Sequence, residues 1–137
     1  MKSTQIFSII ILFVSWSCSE ENLPLEDEMI LEGSWTLVNI NGGLQGLDEH
    51  VAKGEVLWSF TAETGTVMIT NNYQGEETIA SPASGEYPFE MSAFETGQET
   101  LFIDGVNVGV VERNGEELSV DQRAFDGFQL LFGRYDN

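Results

Sequence analysis

Two hydrophobic rhythms divide the chain. Residues 6–16 (IFSIIILFVSW) are apolar in nearly every position, whereas from Gly33 onward apolar and polar residues alternate one by one between short turn-forming clusters. An unbroken apolar run leaves a helix no face for water, while period-two alternation is the pattern of strands buried on one side. Trp35, Leu37 and Asn39 alternate with Thr36, Val38 and Ile40 in a first strand that stops at Asn41-Gly42-Gly43. Residues 44–54 lack the alternation and suggest a short helical turn, capped by Asp48 and closed by Gly54. Val56, Trp58 and Phe60 share one face of a second strand, and Val67 and Ile69 oppose Met68 and Thr70 in a third. A short strand is expected at 78–80. Tyr87, Phe89 and Met91 mark the next one, where Pro88 lacks a backbone donor and points to a sheet edge or bulge.

The C-terminal third adds two hairpins. Asp104-Gly105 and Asn114-Gly115 each separate apolar runs, and both pairs suit tight turns with positive φ. The last run sets Phe128, Leu130, Phe132 and Arg134 on one side of a strand, with Gln129, Leu131 and Gly133 on the other. Eight or nine short strands with hardly any helix predict an all-β fold, either an antiparallel up-and-down barrel of about eight strands or a β-sandwich. Closure into a barrel would remove the exposed strand edges that invite aggregation. Period alone leaves both open.

Composition narrows the function classes. The 137 residues suit one globular domain, and 42% hydrophobic residues supply its core. With 5 Lys+Arg against 23 Asp+Glu the formal charge is −18. That excludes binding to nucleic acid or an anionic membrane through charge, because each phosphate contact needs a cation.

The apolar run at 6–16 is too short to span a bilayer and fits the core of a secretory signal, which predicts export. Cys18, the single cysteine, follows it directly, so no disulfide within the chain can staple the fold. A lone thiol after such a run, flanked by Ser17 and Ser19, resembles the lipidated cysteine of bacterial lipoproteins, although Ser15 and Trp16 stand where that motif has an aliphatic and a small residue. The resemblance implies a signal peptide at 1–17, a membrane anchor of several acyl chains on Cys18, and a location in the outer membrane. Ser19-Glu20-Glu21 is similar to the acid-rich export signal of some surface lipoproteins, which would place the protein at the cell surface. Residues 18–32 then form an acidic tether and 33–137 the barrel domain.

Gly33-Ser34-Trp35 at the domain start and Arg134 in the last strand resemble the lipocalin and wider calycin family. The resemblance implies an eight-stranded barrel in which the Trp35 indole plugs the closed end under the Arg134 guanidinium, the two chain ends meeting there. The family's second common motif has no convincing match in the chain. By analogy the barrel would hold a small apolar or amphipathic ligand, and Trp58, Phe60, Tyr87, Phe89, Phe102, Phe128 and Phe132 are the rings available to line it.

No enzymatic constellation emerges. His50 is the only histidine and lies in the least regular segment, so neither a Ser-His-Asp set nor a zinc cluster has its parts. Glu76-Glu77 and Glu116-Glu117 are sequence neighbours, which point to opposite faces of an extended chain and do not converge as an acid and base pair. The expectation is a non-enzymatic lipoprotein with no cofactor and no metal. It binds a small ligand in the barrel, or else it is a scaffold whose acidic surface meets a protein partner.

Overall fold

A computed structural model describes residues 30–75, 81–93, 97–122 and 127–136. The signal-like run, Cys18 and the short strand expected at 78–80 lie outside them. The described residues form nine strands: β1 (Gly33–Gly42), β2 (Leu47–His50), β3 (Val56–Thr61), β4 (Thr66–Asn71), β5 (Gly85–Ala93), β6 (Glu99–Ile103), β7 (Val106–Asn114), β8 (Glu117–Asp121) and β9 (Phe128–Arg134). Neighbours pair antiparallel from β3 to β9, β1 pairs with β3 on one edge and β9 on the other, and the sheet closes on itself. The result is an eight-stranded, up-and-down antiparallel barrel. The sandwich alternative is thereby set aside.

β2 is the ninth strand and adds nothing to the circumference. It pairs with residues 39–42 of β1, on the same edge that β3 takes at residues 33–36. β2 and β3 therefore read as one strand interrupted by residues 51–55. The helical turn expected over 44–54 is not there. Gly42, Gly43 and Gly46 take positive φ and fold a hairpin instead, and Asp48 accepts a hydrogen bond from Asn39 Nδ2 across the strands at 2.9 Å rather than capping a helix. Leu47 and Glu49 are half-buried while Asp48 and His50 are exposed, so even this short piece alternates.

The core fills the barrel from every strand of its wall. Trp35, Leu37, Ile40, Val56, Trp58, Phe60, Val67, Ile69, Phe89, Leu101, Ile103, Val111, Leu118, Val120, Leu130 and Phe132 are all at most 5% exposed. Alternation gives way at one place in β1: the register against β9 shifts between Leu37 and Asn39. That bulge turns Ile40 inward and leaves Asn39 outside, reversing the faces that strict alternation assigns them. A second shift lies in β7 beside Gly109, whose φ is +140° and whose hydrogen would, as a methyl, lie 2.8 Å from the Asp121 carbonyl.

Pro88 does not put β5 at an edge. It faces Thr66, the terminal residue of the β4 ladder, so its missing donor falls where the pairing ends, and the next N–H, from Phe89, donates to Gly65 O. The two hairpins differ in their turns. Asp104 and Gly105 both have positive φ, as a type I′ turn requires, whereas in the second Asn114 pairs with Glu117 as part of the ladder and only Gly115 has positive φ. Glycine at the first central position suits a type II′ turn.

Candidate functional site

The end of the barrel where β1 begins is sealed by residues from four parts of the chain. Trp35 lies opposite Trp58 on β3 and opposite Arg134 on β9, and is completely buried. Arg134 Cζ is 4.9 Å from the centre of the indole, and Arg113, at the end of β7, brings a second guanidinium to 5.3 Å. A cation over an indole gains roughly 0.5–2 kcal/mol, more as water is excluded. Gly33 makes the approach of Arg134 feasible: its φ is +102°, and a Cβ there would stand 2.6 Å from Arg134 Nη2. The Gly-x-Trp spacing thus has a local cause, since the residue two before the indole must leave room for the guanidinium that covers it.

A strap of three residues crosses this end ahead of β1. Ile30 O accepts a hydrogen bond from Arg113 Nη1 at 2.7 Å, Leu31 O accepts one from Trp35 Nε1 at 2.8 Å, and Glu32 O accepts one from Arg134 Nη1 at 2.7 Å. Three consecutive carbonyls are thereby held by side chains from β7, β1 and β9. The Glu32 carboxylate in turn accepts the Ala62 N–H at 2.6 Å, tying the strap to the β3–β4 turn. Leu31 is fully buried beneath it. Residues 30–32, assigned to the tether by the sequence pattern, are thus packed against the barrel ahead of Gly33. An acidic count alone could not reveal this, because Leu31 and the backbone do the packing.

Arg113 and the strap are the parts that the sequence pattern did not expose. One signal for Arg113 exists: it stands two residues after Val111, which is buried, and opposite Leu118, which is also buried, so the pleat aims it at the interior side of the barrel end. A lone arginine beside a turn reads as a surface charge until that register is known.

The seven rings named as cavity lining divide. Trp58, Phe60, Phe89 and Phe132 are at most 3% exposed and pack on one another, with centroids 4.7 Å apart for Trp58 and Phe132, 5.0 Å for Phe60 and Phe89, and 6.1 Å for Trp58 and Phe60. Tyr87 and Phe128 are partly buried against this core. Phe102 does not belong with them. It alternates with the buried Leu101 and Ile103, so it stands on the outer wall. The polar handle of Trp58 is also engaged, since Nε1 donates to Ser81 Oγ at 2.7 Å, and Asn71 Nδ2 donates to the Ser81 and Pro82 carbonyls. Ser81 and Pro82, just ahead of β5, are thus drawn against the end opposite the strap.

Two grooves open elsewhere. One, of about 520 Å³, lies at the sealed end between Ile30, Gln98, Val110, Arg113 and Gly115. The other, of about 510 Å³, runs along Val38, Ser119, Gln129, Leu131 and Gly133. Neither groove is lined by Trp58, Phe60, Tyr87, Phe89, Phe102 or Phe128.

No protein-family model matches the chain, and no curated protein or solved structure matches it. Geometry alone has to carry the reading, and it is compatible with a lipocalin-like barrel. The cations are the most telling feature of its electrostatics. Lys53 lies over the Tyr135 ring at 5.5 Å, so all three Lys and Arg side chains among the described residues rest on aromatic rings. His50 is exposed at the end of β2.

Proposed function

We propose that this chain is a lipocalin-like lipoprotein of the bacterial outer membrane, held by an acylated Cys18. Its barrel is a packed, non-enzymatic scaffold that offers an acidic outer wall to a basic protein partner. The observation that carries this reading is how the interior positions are used. The rings best placed to line a binding cavity pack against each other, and the Trp58 N–H is bonded to Ser81. Small barrels filled in this way serve as frames for what their walls and loops present.

Charge supports the choice of partner. With 23 Asp+Glu against 5 Lys+Arg, the field of a −18 chain is set by its carboxylates and favours encounter with a cationic surface. The anchor is lipid rather than charge, since several acyl chains hold a bilayer stably where one does not.

Mass spectrometry of the full protein extracted from membranes in mild detergent tests both parts. The expected result is an N-terminal fragment beginning at acylated Cys18 and no small molecule in stoichiometric amount. Cross-linking in the same membranes should capture a basic protein whose yield falls as salt rises. An unmodified Cys18 overturns the anchor. One apolar molecule per chain overturns the scaffold in favour of a ligand carrier, and a salt-independent partner removes charge steering.

A further inference from the structure

The described residues hold two Asn-Gly pairs, Asn41-Gly42 and Asn114-Gly115, in opposite circumstances. In such a pair the glycine nitrogen, unobstructed by a side chain, can attack the asparagine Cγ. Asparagine is accordingly among the thermally labile residues. Asn41-Gly42 is held in the wall: Gly42 is laddered to Leu47 on one edge and Phe128 on the other, its Cβ position lies 2.6 Å from Gly127 O, and the Asn41 amide donates to Asn39 Oδ1 at 3.2 Å. Asn114 ends β7 and is exposed, while Gly115 is exposed with nothing within 4 Å of its Cβ position.

We propose that Asn114-Gly115 is a site of spontaneous deamidation, and that its product releases Arg113 from the sealed end. The Gly115 nitrogen loses its proton and bonds to Asn114 Cγ, the Cγ–Nδ2 bond breaks, and ammonia leaves. Water then opens the cyclic imide. Opening at Cγ restores the normal chain as aspartate, and opening at the main-chain carbonyl gives isoaspartate, with the former side-chain methylene now in the backbone. No oxidant or reductant is involved. Water is the only co-reactant.

The coupling to Arg113 is short. Arg113 Nε donates to Gly115 O at 3.0 Å, the same side chain holds Ile30 O at 2.7 Å, and its Cζ lies 5.3 Å from the Trp35 ring centre. An extra backbone carbon immediately before Gly115 moves that acceptor and re-aims the guanidinium. The new carboxylate also takes residues 112–117 from a formal 1 − 3 = −2 to −3, next to Glu116 and Glu117. The site ages into a more acidic and looser end.

The test is incubation of the full chain at mildly alkaline pH, natively and in concentrated urea, with peptide mapping by mass spectrometry and isoaspartyl methyltransferase labelling. Because a hairpin tip opens far more readily than a doubly paired strand, Asn114 should convert at least about tenfold faster than Asn41 in the folded chain. In urea the two should convert alike. Equal native rates, or an intact Asn114 over a period in which urea converts both, overturn the site. Asn114→Gln should abolish labelling there. The isoaspartate form should reproduce the tryptophan emission of Arg113→Met, whereas Asn114→Asp, which changes charge alone, should leave emission near that of the parent. An isoaspartate form with parental emission overturns the release of Arg113.

Discussion

Replacing Arg134 by methionine removes the guanidinium while keeping most of the aliphatic stem, so the change isolates what the cation does for the sealed end. Two interactions go. The hydrogen bond to Glu32 O is charge-assisted, a class worth about 1.5–3 kcal/mol, and because this carbonyl lies where water can replace the donor the lower end applies. The contact with Trp35, at 4.9 Å, contributes roughly 0.5–2 kcal/mol. Together they predict a loss of about 2–3 kcal/mol, read as a urea midpoint lower by roughly 1–2 M at constant slope. Pairing the change with Trp35→Leu separates the two. In the double-mutant cycle the hydrogen bond to Glu32 largely cancels, and a coupling of about 0.5–2 kcal/mol should remain for the ring contact. Far-UV circular dichroism is the appropriate probe, since one variant lacks a tryptophan. A coupling below about 0.3 kcal/mol, with both single variants folded, would mean that the guanidinium merely rests beside the indole, and the account of the sealed end would be wrong.

Gly33→Ala should destabilise by about 1–3 kcal/mol, because the methyl would meet Arg134 Nη2 at 2.6 Å on a backbone with φ of +102°. Its effect should shrink in the Arg134→Met background, and full additivity would contradict the steric explanation. Phe89→Ala should cost about 3–5 kcal/mol as the loss of a buried ring, whereas Phe102→Ala, on the outer wall, should cost no more than about 1 kcal/mol; comparable losses in thermal melts would show that the inward and outward faces of β5 and β6 have been confused.

Strand faces were legible wherever neighbouring side chains obey the pleat without interruption. Val56, Trp58 and Phe60 could be placed inside together from the sequence because each is two residues from the next, and the same holds for Leu130 and Phe132. The bulge in β1 broke the inference at Asn39 and Ile40, since an extra residue moves everything beyond it to the other face and leaves no mark in composition. Asp48 misleads for a related reason: an acid after glycines looks like a helix cap until the side chain it bonds, Asn39 on β1, is known to lie beside it.

The sealed end shows where such reading stops. Arg134 and Trp35 are 99 residues apart, and their pairing was legible only through the resemblance to the lipocalin family, for which closure of the barrel, bringing its first and last strands side by side, is the physical reason. Arg113 follows from no such rule. Its strand contacts neither β1 nor the strap through the backbone ladder, and it reaches Trp35 and Ile30 through its side chain alone. The strap has even less signature, for its three bonds all end on main-chain carbonyls, which every residue possesses. Closure thus dictates that the two ends of the chain meet, while the identity of what locks them is decided by groups whose chemistry is generic and whose positions exist only once the barrel has formed.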